Sequence, residues 1–473
     1  MIRIHNSLTG EKETLQPIKP GHIGMYVCGM TVYDYIHVGH ARMLTVFDMV
    51  QRYLRHRGYN VTYVRNITDV DDKIIKRAAE RGESIEQFTE TFIKAQNEDF
   101  AALGLQVPDV EPRATQHIRQ MIEMIERLIE REYAYVAANG DVMYAVAKFE
   151  GYGKLSGKRL ADLRAGARIE VDEAKRDPLD FVLWKRAKPG EPEWDSPWGK
   201  GRPGWHIECS AMSKDILGWH FDIHGGGMDL KFPHHENEIA QTCAAQPDAK
   251  FANIWMHNGF VNVDDTKMSK SLGNFFTVRD VLPRLRHPEV MRYFLLSSQY
   301  RGPINYSADQ MEQADVQLNR IYTALRDLPA DAPLQPGEHT TRFIEVMDDD
   351  FNTPEALAVI QTLTREINTA RDAKKDRQAA ALGAELRSLT RVLNVASLDP
   401  GEWFKLSANL SPATNGGAGA TLSNEEVQRL VDARAAARAA KNWPESDRLR
   451  DELAAAGIIV EDKPGARATW RRK

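Results

Sequence analysis

The sequence predicts an α/β protein: a Rossmann-type parallel-sheet catalytic domain with an insertion, then an α-helical bundle and a small C-terminal domain. Three observations predict it. Residues 24–67 read strand, helix, strand with short connections, and a charged stretch of mixed texture separates them from a second strand-like run at 221–227. From 308 to 395, helical spacing dominates. At 473 residues the chain exceeds what one hydrophobic core fills, so several domains are expected.

Gly24-Met25-Tyr26-Val27-Cys28-Gly29 reads as a short buried strand ending at a glycine. From 38 to about 57, apolar residues recur at helical spacing (Met43, Leu44, Phe47, Val50, Tyr53, Leu54), and Gly58 closes that helix. Residues 60–67 form the next strand. Such a βαβ unit requires a parallel sheet, whose ligands sit at the carboxyl ends of the strands, where Cys28 and His37 fall.

The expected divisions are 1–111 for the first Rossmann half, 112–194 for the insertion with a helix over 118–131, and 195–250 for the second half. A connecting region, 251–307, precedes a bundle at 308–400, in which 347–357 reads as helical. Residues 401–423, small and polar around Gly416 and Gly417, read as a linker before a last domain, 424–473.

Composition is globular, 42% hydrophobic and 27% charged, with no apolar run long enough to span a bilayer. The first residues lack the basic and apolar regions of a signal peptide. Three cysteines, Cys28, Cys209 and Cys243, do not make a disulfide scaffold, so a cytoplasmic chain with reduced thiols and no membrane partner is expected. A net charge of −5 gives no global sign of nucleic-acid binding. Residues 424–473 carry eleven Lys/Arg against nine Asp/Glu, net +2, a balance that equally describes a solvated tail.

Two short strings carry chemistry. In His37-Val38-Gly39-His40 the histidines lie three apart on one face at a helix start, and Gly39 lets a base or ribose approach the backbone. A helix N-terminus suits a triphosphate. Lys267-Met268-Ser269-Lys270-Ser271 places two lysines where charge grows on a departing pyrophosphate when an acid attacks the α-phosphate of ATP. Taken singly, the first string equally describes helix-capping histidines and the second a charged turn; their joint occurrence in this order favours ATP-driven acid activation.

His234 and Glu238, four apart, share a helical face that can chelate a cation, and Cys28 and Cys209 can complete the set. Spacing alone leaves two buried free cysteines as the commoner outcome. Near the C-terminus, Arg434, Arg438, Lys441 and Trp443 combine charge with a stacking surface, and Asp447 and Asp462 can accept from base edges. An amphipathic helix with a buried tryptophan is the alternative there.

The two strings resemble the signatures of class I aminoacyl-tRNA synthetases, and the surrounding strings resemble the cysteinyl-tRNA synthetases along essentially the whole chain. Carrying the resemblance are Met25 to Asp34, Asn66-Ile67-Thr68-Asp69-Val70-Asp71-Asp72-Lys73, Gly204-Trp205-His206-Ile207-Glu208-Cys209-Ser210, Phe232-Pro233-His234-His235-Glu236-Asn237-Glu238 and Lys441-Asn442-Trp443. Met30 stands where the family often has proline, and Val38 takes the variable second place of the first signature.

The resemblance implies a ligase joining cysteine to tRNA(Cys) through cysteinyl-adenylate. His37, His40, Lys267 and Lys270 are then catalytic, with His37, Gly39, His40 and Lys270 binding ATP and its Mg2+. One zinc per chain is implied on Cys28, Cys209, His234 and Glu238. Zinc prefers a soft thiolate, so it answers a problem of selectivity: a pocket that merely fits a small side chain separates near-isosteres only about ten- to a few hundred-fold.

Thr31, Thr68, Trp205, His206, His224 and Asp229 are implied in the cysteine pocket, and Arg438, Trp443, Asp447 and Asp462 in reading the anticodon. Region 251–307 then bears the second signature and contacts the tRNA stem, and 424–473 binds the anticodon. A monomer is expected. Two rival readings are disfavoured: a ligase joining cysteine to an amino sugar, by the C-terminal domain, and a catalytically dead RNA-binding relative, by the intact lysines and histidines of both strings.

Overall fold

In the computed structural model, which describes residues 1–166, 175–263, 266–268, 273–407, 422–462 and 468–472, a four-stranded parallel sheet carries the site. Its strands are β1 (His22–Val27), β2 (Asn60–Arg65), β3 (His220–Gly227) and β4 (Phe251–Asn258), in the order β4-β3-β1-β2. β1 is a near-continuous buried run, as a strand covered on both faces must be.

Helix α1 (Val38–His56) crosses from β1 to β2 and buries Met43, Leu44, Phe47, Val50, Tyr53 and Leu54, the apolar positions of the sequence pattern. Arg55 and His56 fill its last turn, and Gly58 beyond it adopts φ +87°. The chain leaves β1 for β2 on one side, while β3 lies on the other, so a crevice opens at the carboxyl ends of β1 and β3. The Cys28 N–H donates to Gly225 O at 3.0 Å across that point. Two helices flank it: α2 (Trp205–Leu217) and α3 (Glu236–Ala245).

The insertion contains the helix Ile118–Glu130 and an antiparallel sheet of Ala134–Val136, Val142–Tyr144, Phe181–Arg186 and Gly201–Pro203. Its last strand pairs back onto the insertion sheet, so the insertion extends past residue 194, where it was expected to stop. β4 pairs along its length with β3, so the parallel sheet continues beyond residue 250.

The chain divides into two compact units, one of 1–279, 295–306 and 340–358, the other of 280–294, 307–339 and 359–473. In the first, the helical pattern over 347–357 is interrupted by a turn. Helix Glu338–Asp348 ends, Asp350 and Phe351 adopt φ of +64° and +50°, and a new helix begins at Thr353. Pro354 cannot continue an incoming helix, and the buried Asp350 carboxylate accepts from His5 N (2.9 Å), the Tyr300 hydroxyl (2.8 Å) and Arg301 Nε (2.8 Å).

In the second unit, the start of the expected linker is a helical turn, Pro400–Trp403. Buried Trp403 stacks on Tyr322 at 4.4 Å, which anchors residues read from composition as free. Residues 408–421 lie outside the described residues. The C-terminal module pairs α4 (Asn424–Ala439) with α5 (Trp443–Ala455) and a hairpin of Ile458–Glu461 and Thr469–Arg472. Val427, Val431, Leu453, Ile458 and Trp470 form its core. Among the described residues no helix is long and apolar enough to cross a membrane.

Candidate active site

The first string starts α1. His37 is its N-cap, in extended conformation, and accepts from His40 N at 3.3 Å through Nδ1, while His40 Nδ1 accepts from His37 N at 3.4 Å. The reciprocal capping stacks the two rings 3.5 Å apart. A Cβ on Gly39 would lie 2.9 Å from the His37 ring, so glycine is what lets the stack form.

The second string approaches it. The Met268 methyl group lies 3.7 Å from that same Cβ position, and Met268 N donates to Val261 O at 3.2 Å. Downstream, Phe276 O accepts from Val38 N at 3.1 Å, and Phe275 meets the His37 ring edge-on. Lys267 ends the strand Thr266–Lys267; its side chain and Lys270 lie outside the described residues.

Nine residues before His37, at the end of β1, Cys28 faces Cys209 of α2 with Sγ atoms 3.5 Å apart. Cys28 Sγ is also 3.4 Å from Glu238 Oε1, which lies 3.1 Å from His234 Nε2. His234 sits in the tight turn before α3, and Glu238 in the first turn of that helix. All four donors are buried and lie within 4.8 Å of one another.

This set fits a zinc ion. Two thiolates on tetrahedral zinc, with Zn–S about 2.3 Å, stand roughly 3.8 Å apart, close to the spacing found. Burial pushes both cysteine thiols up and holds the His234 imidazole neutral, so without a cation the site is a desolvated cluster of protonated thiols. A divalent cation reverses that preference for the thiols.

A second set, Cys28 with His224, His235 and Glu238, is equally compact but offers one thiol. His224 Nε2 already binds Glu238 Oε2 at 2.8 Å, and His235 Nδ1 meets His257 Nε2 at 2.8 Å. These histidines thus brace the first set, His224 fixing one carboxylate oxygen while the other faces the thiol. His206 Nδ1 lies 2.9 Å from His234 Nδ1, and burial lowers the His206 pKa to about 3, so the contact joins two neutral rings. With the proton of that contact carried on His234 Nδ1 and accepted by His206 Nδ1, His234 Nε2 keeps its lone pair for a metal.

The residues expected around the thiol share this crevice. Trp205, 38% exposed, opens α2 with its ring 4.2 Å from that of His234. Thr31 and Thr68 pair as a parallel bridge beyond β1 and β2, and Thr68 Oγ1 donates to Glu208 Oε2 at 2.8 Å. Asp229 follows β3, where its carboxylate would lie 2.4 Å from a Cβ on Gly227. A cavity of about 390 Å³ opens beside Trp205, His206 and Glu208, walled on its far side by Met143, Phe181 and Val182 of the insertion.

His235 and His257 escaped the sequence reading; the doublet His234-His235 before a helix was the only signal for the former, and for His257 there was none.

At the C-terminal end, Trp443 opens α5 at 56% exposure, and the buried tryptophan of the module is Trp470 instead. Asp462 accepts two hydrogen bonds from Arg434, both at 2.9 Å, and one from Arg438. Asp447 pairs with Arg450 at 2.9 Å.

The fold and the crevice define a class. Residues 14–316 match the family of tRNA synthetases class I (C) catalytic domains, and the solved Mycobacterium tuberculosis methionyl-tRNA synthetase in complex with methionyl-adenylate shares the fold. It superposes with a TM-score of 0.56 at 15% identity, covering 81% of this chain and 91% of that one. Residues 342–397 match the DALR domain, and 423–471 the cysteinyl-tRNA ligase anticodon binding domain. Cysteine–tRNA ligases of Methylococcus capsulatus and Thioalkalivibrio sulfidiphilus are 60% and 59% identical over the full length of both chains. The chain belongs to the cysteine–tRNA ligase family.

Proposed function

We propose that the cysteine carboxylate attacks the α-phosphorus of ATP at this crevice, breaking the bond to pyrophosphate and forming cysteinyl-adenylate. The 3′-terminal ribose hydroxyl of tRNA(Cys) then attacks the carbonyl carbon and releases AMP. The observation that carries the reading is the convergence of Cys28, Cys209, His234 and Glu238 within 4.8 Å, buried at the carboxyl ends of β1 and β3.

In this reading the four donors hold one zinc. When bound, zinc supplies a soft Lewis-acid centre that lowers a thiol pKa and prefers sulfur to a hydroxyl or methyl. Trp205 walls the pocket, His206 and His224 orient the donors, and Thr31, Thr68 and Asp229 hold the substrate's ammonium and carboxylate. His37, Gly39 and His40 seat ATP with its Mg2+; Lys267 and Lys270 neutralise charge on the departing pyrophosphate.

Arg438, Trp443, Asp447 and Asp462 read the GCA anticodon. The divisions of 1–111, 112–194, 195–250, 251–307, 308–400, 401–423 and 424–473, adjusted for the strands noted above, separate activation from RNA reading. The protein works as a cytoplasmic monomer.

Metal analysis with cysteine-dependent ATP–pyrophosphate exchange tests the site. One zinc per chain and exchange that rejects serine are expected; metal-free protein that still prefers cysteine would remove zinc from the selection. Charging of tRNA(Cys) separates this ligase from one that joins cysteine to an amino sugar.

A further inference from the structure

Arg42 lies two residues beyond the first string, on the buried side of α1, and is fully buried. Its Nη1 donates to Phe260 O at 2.6 Å, and its Nη2 to Gly302 O at 2.6 Å, Ser298 Oγ at 3.3 Å, and the carbonyls of Gln299 and Tyr300 at 3.4 Å. Among the described residues, Nε has no hydrogen-bond partner and no carboxylate bonds the guanidinium. Burial lowers the pKa only to about 10, so the group stays charged at neutral pH. A desolvated cation held by neutral dipoles alone is costly, and a hydrocarbon side chain would fill a helix–sheet contact without that penalty.

What the fork joins explains the expense. Phe260 immediately precedes the strand Val261–Val263, whose Val261 O receives Met268 N of the second string. The segment 299–302 packs so tightly on the residues leading into that strand that a Cβ on Gly259 would lie 2.2 Å from Gly302 O, and Gly259 N donates to Tyr300 O at 2.8 Å. Asp350 fastens that segment from outside through Tyr300 and Arg301. One guanidinium therefore ties the helix bearing His37 and His40 both to the residue that leads into the strand Val261–Val263, whose Val261 O receives Met268 N, and to the loop 298–302. A planar fork with fixed donor directions suits this role; a point charge does not.

We infer that Arg42 is a positioning residue for adenylate formation, setting the second string in register with the first without touching substrate. This rests on the adenylation reading above, and pyrophosphate exchange by the unaltered protein tests that reading separately.

The test is single-turnover formation of cysteinyl-adenylate in the full-length zinc-loaded enzyme, with active sites counted by burst amplitude. Arg42→Met is expected to lower the rate per active site roughly tenfold to a hundredfold, the scale on which small misplacements act. Zinc content, burst amplitude and the KM for cysteine stay unchanged. Arg42→Lys, which keeps the charge but loses the fork, falls between Arg42→Met and the unaltered enzyme. Loss confined to burst amplitude, with an unchanged rate per site, would mean Arg42 only supports folding and would overturn the inference. Should Arg42→Met not fold, Arg42→Lys decides: a per-site rate equal to the unaltered enzyme overturns it as well.

Discussion

The donor cluster at the carboxyl ends of β1 and β3 and the polar face of the C-terminal module are both built from ionisable side chains, yet they are finished to different degrees. In the cluster, two thiols, an imidazole and a carboxylate are buried and turned toward one another, and two of the donors are braced from outside: Glu238 by His224 and His234 by His206. In the C-terminal module the groups are exposed or half-buried and already satisfied, Asp462 by two arginines and Asp447 by Arg450. A site that selects by coordination must be assembled before the ligand arrives, because buried donors cannot rearrange cheaply. A face that reads flexible RNA can exchange its internal ion pairs for contacts of similar worth, since exposed pairs contribute little.

Removing one donor should break the contrast most sharply. Cys209→Ala leaves a three-donor site, and cysteine-dependent pyrophosphate exchange is expected to fall roughly a thousandfold, equivalent to about 4 kcal/mol. Bound zinc, measured on the same samples, should be lost in parallel; retention of both metal and exchange would sink the four-donor reading.

His224→Asn tests the bracing instead. It frees Glu238 Oε2 without touching a donor, and zinc affinity should drop about 10- to 100-fold, visible in competition with a chelator. An unchanged affinity would reduce His224 to a packing residue.

For the other region, Trp443→Ala removes the exposed ring. Stacking on a base is worth about 1–3 kcal/mol, so kcat/KM for tRNA(Cys) should fall roughly 5- to 150-fold. Pyrophosphate exchange without tRNA should not change. A matching loss in both assays would place Trp443 in the architecture rather than the RNA-reading face.

Much of this was legible because periodicity and local spacing carried it. The apolar register of α1, the glycine closing it and the helical pairing of His234 with Glu238 are short-range facts. Cys28 and Cys209 lie 3.5 Å apart only through sheet topology, so spacing alone favoured two unrelated buried thiols, and family resemblance supplied the pairing. The break within the helical pattern over 347–357 was not legible because its cause is long-range: the buried Asp350 carboxylate takes its donors from His5, Tyr300 and Arg301. Which tryptophan is buried was not legible for the same kind of reason: Trp443 stands exposed and Trp470 is covered, and composition does not say which one the hairpin covers. Arg42 left no trace at all, since an arginine within a helix looks like any surface charge until its carbonyl partners, over two hundred residues away, are in place.

The smallest effect concerns the internal pairing of the C-terminal module. Hydrogen bonds from Arg434 hold the Asp462 carboxyl below its ordinary value, with Arg438 adding to the shift. A carboxylate depressed on folding stabilises the folded state at neutral pH, and that contribution is lost as pH falls from the ordinary carboxylate range through the lowered value. Because Asp462 is substantially exposed, solvent screening holds the pair to about 1 kcal/mol or less. Asp462→Asn should therefore cost a small shift in unfolding midpoint at pH 7, and that shift should shrink as pH falls below the ordinary carboxylate range. The same substitution frees Arg434 and Arg438 while removing an acceptor, so charging separates the two duties of the side chain. A change in kcat/KM for tRNA(Cys) larger than the stability shift explains would make Asp462 a reader of RNA; a change no larger would leave it a brace for the arginines beside it.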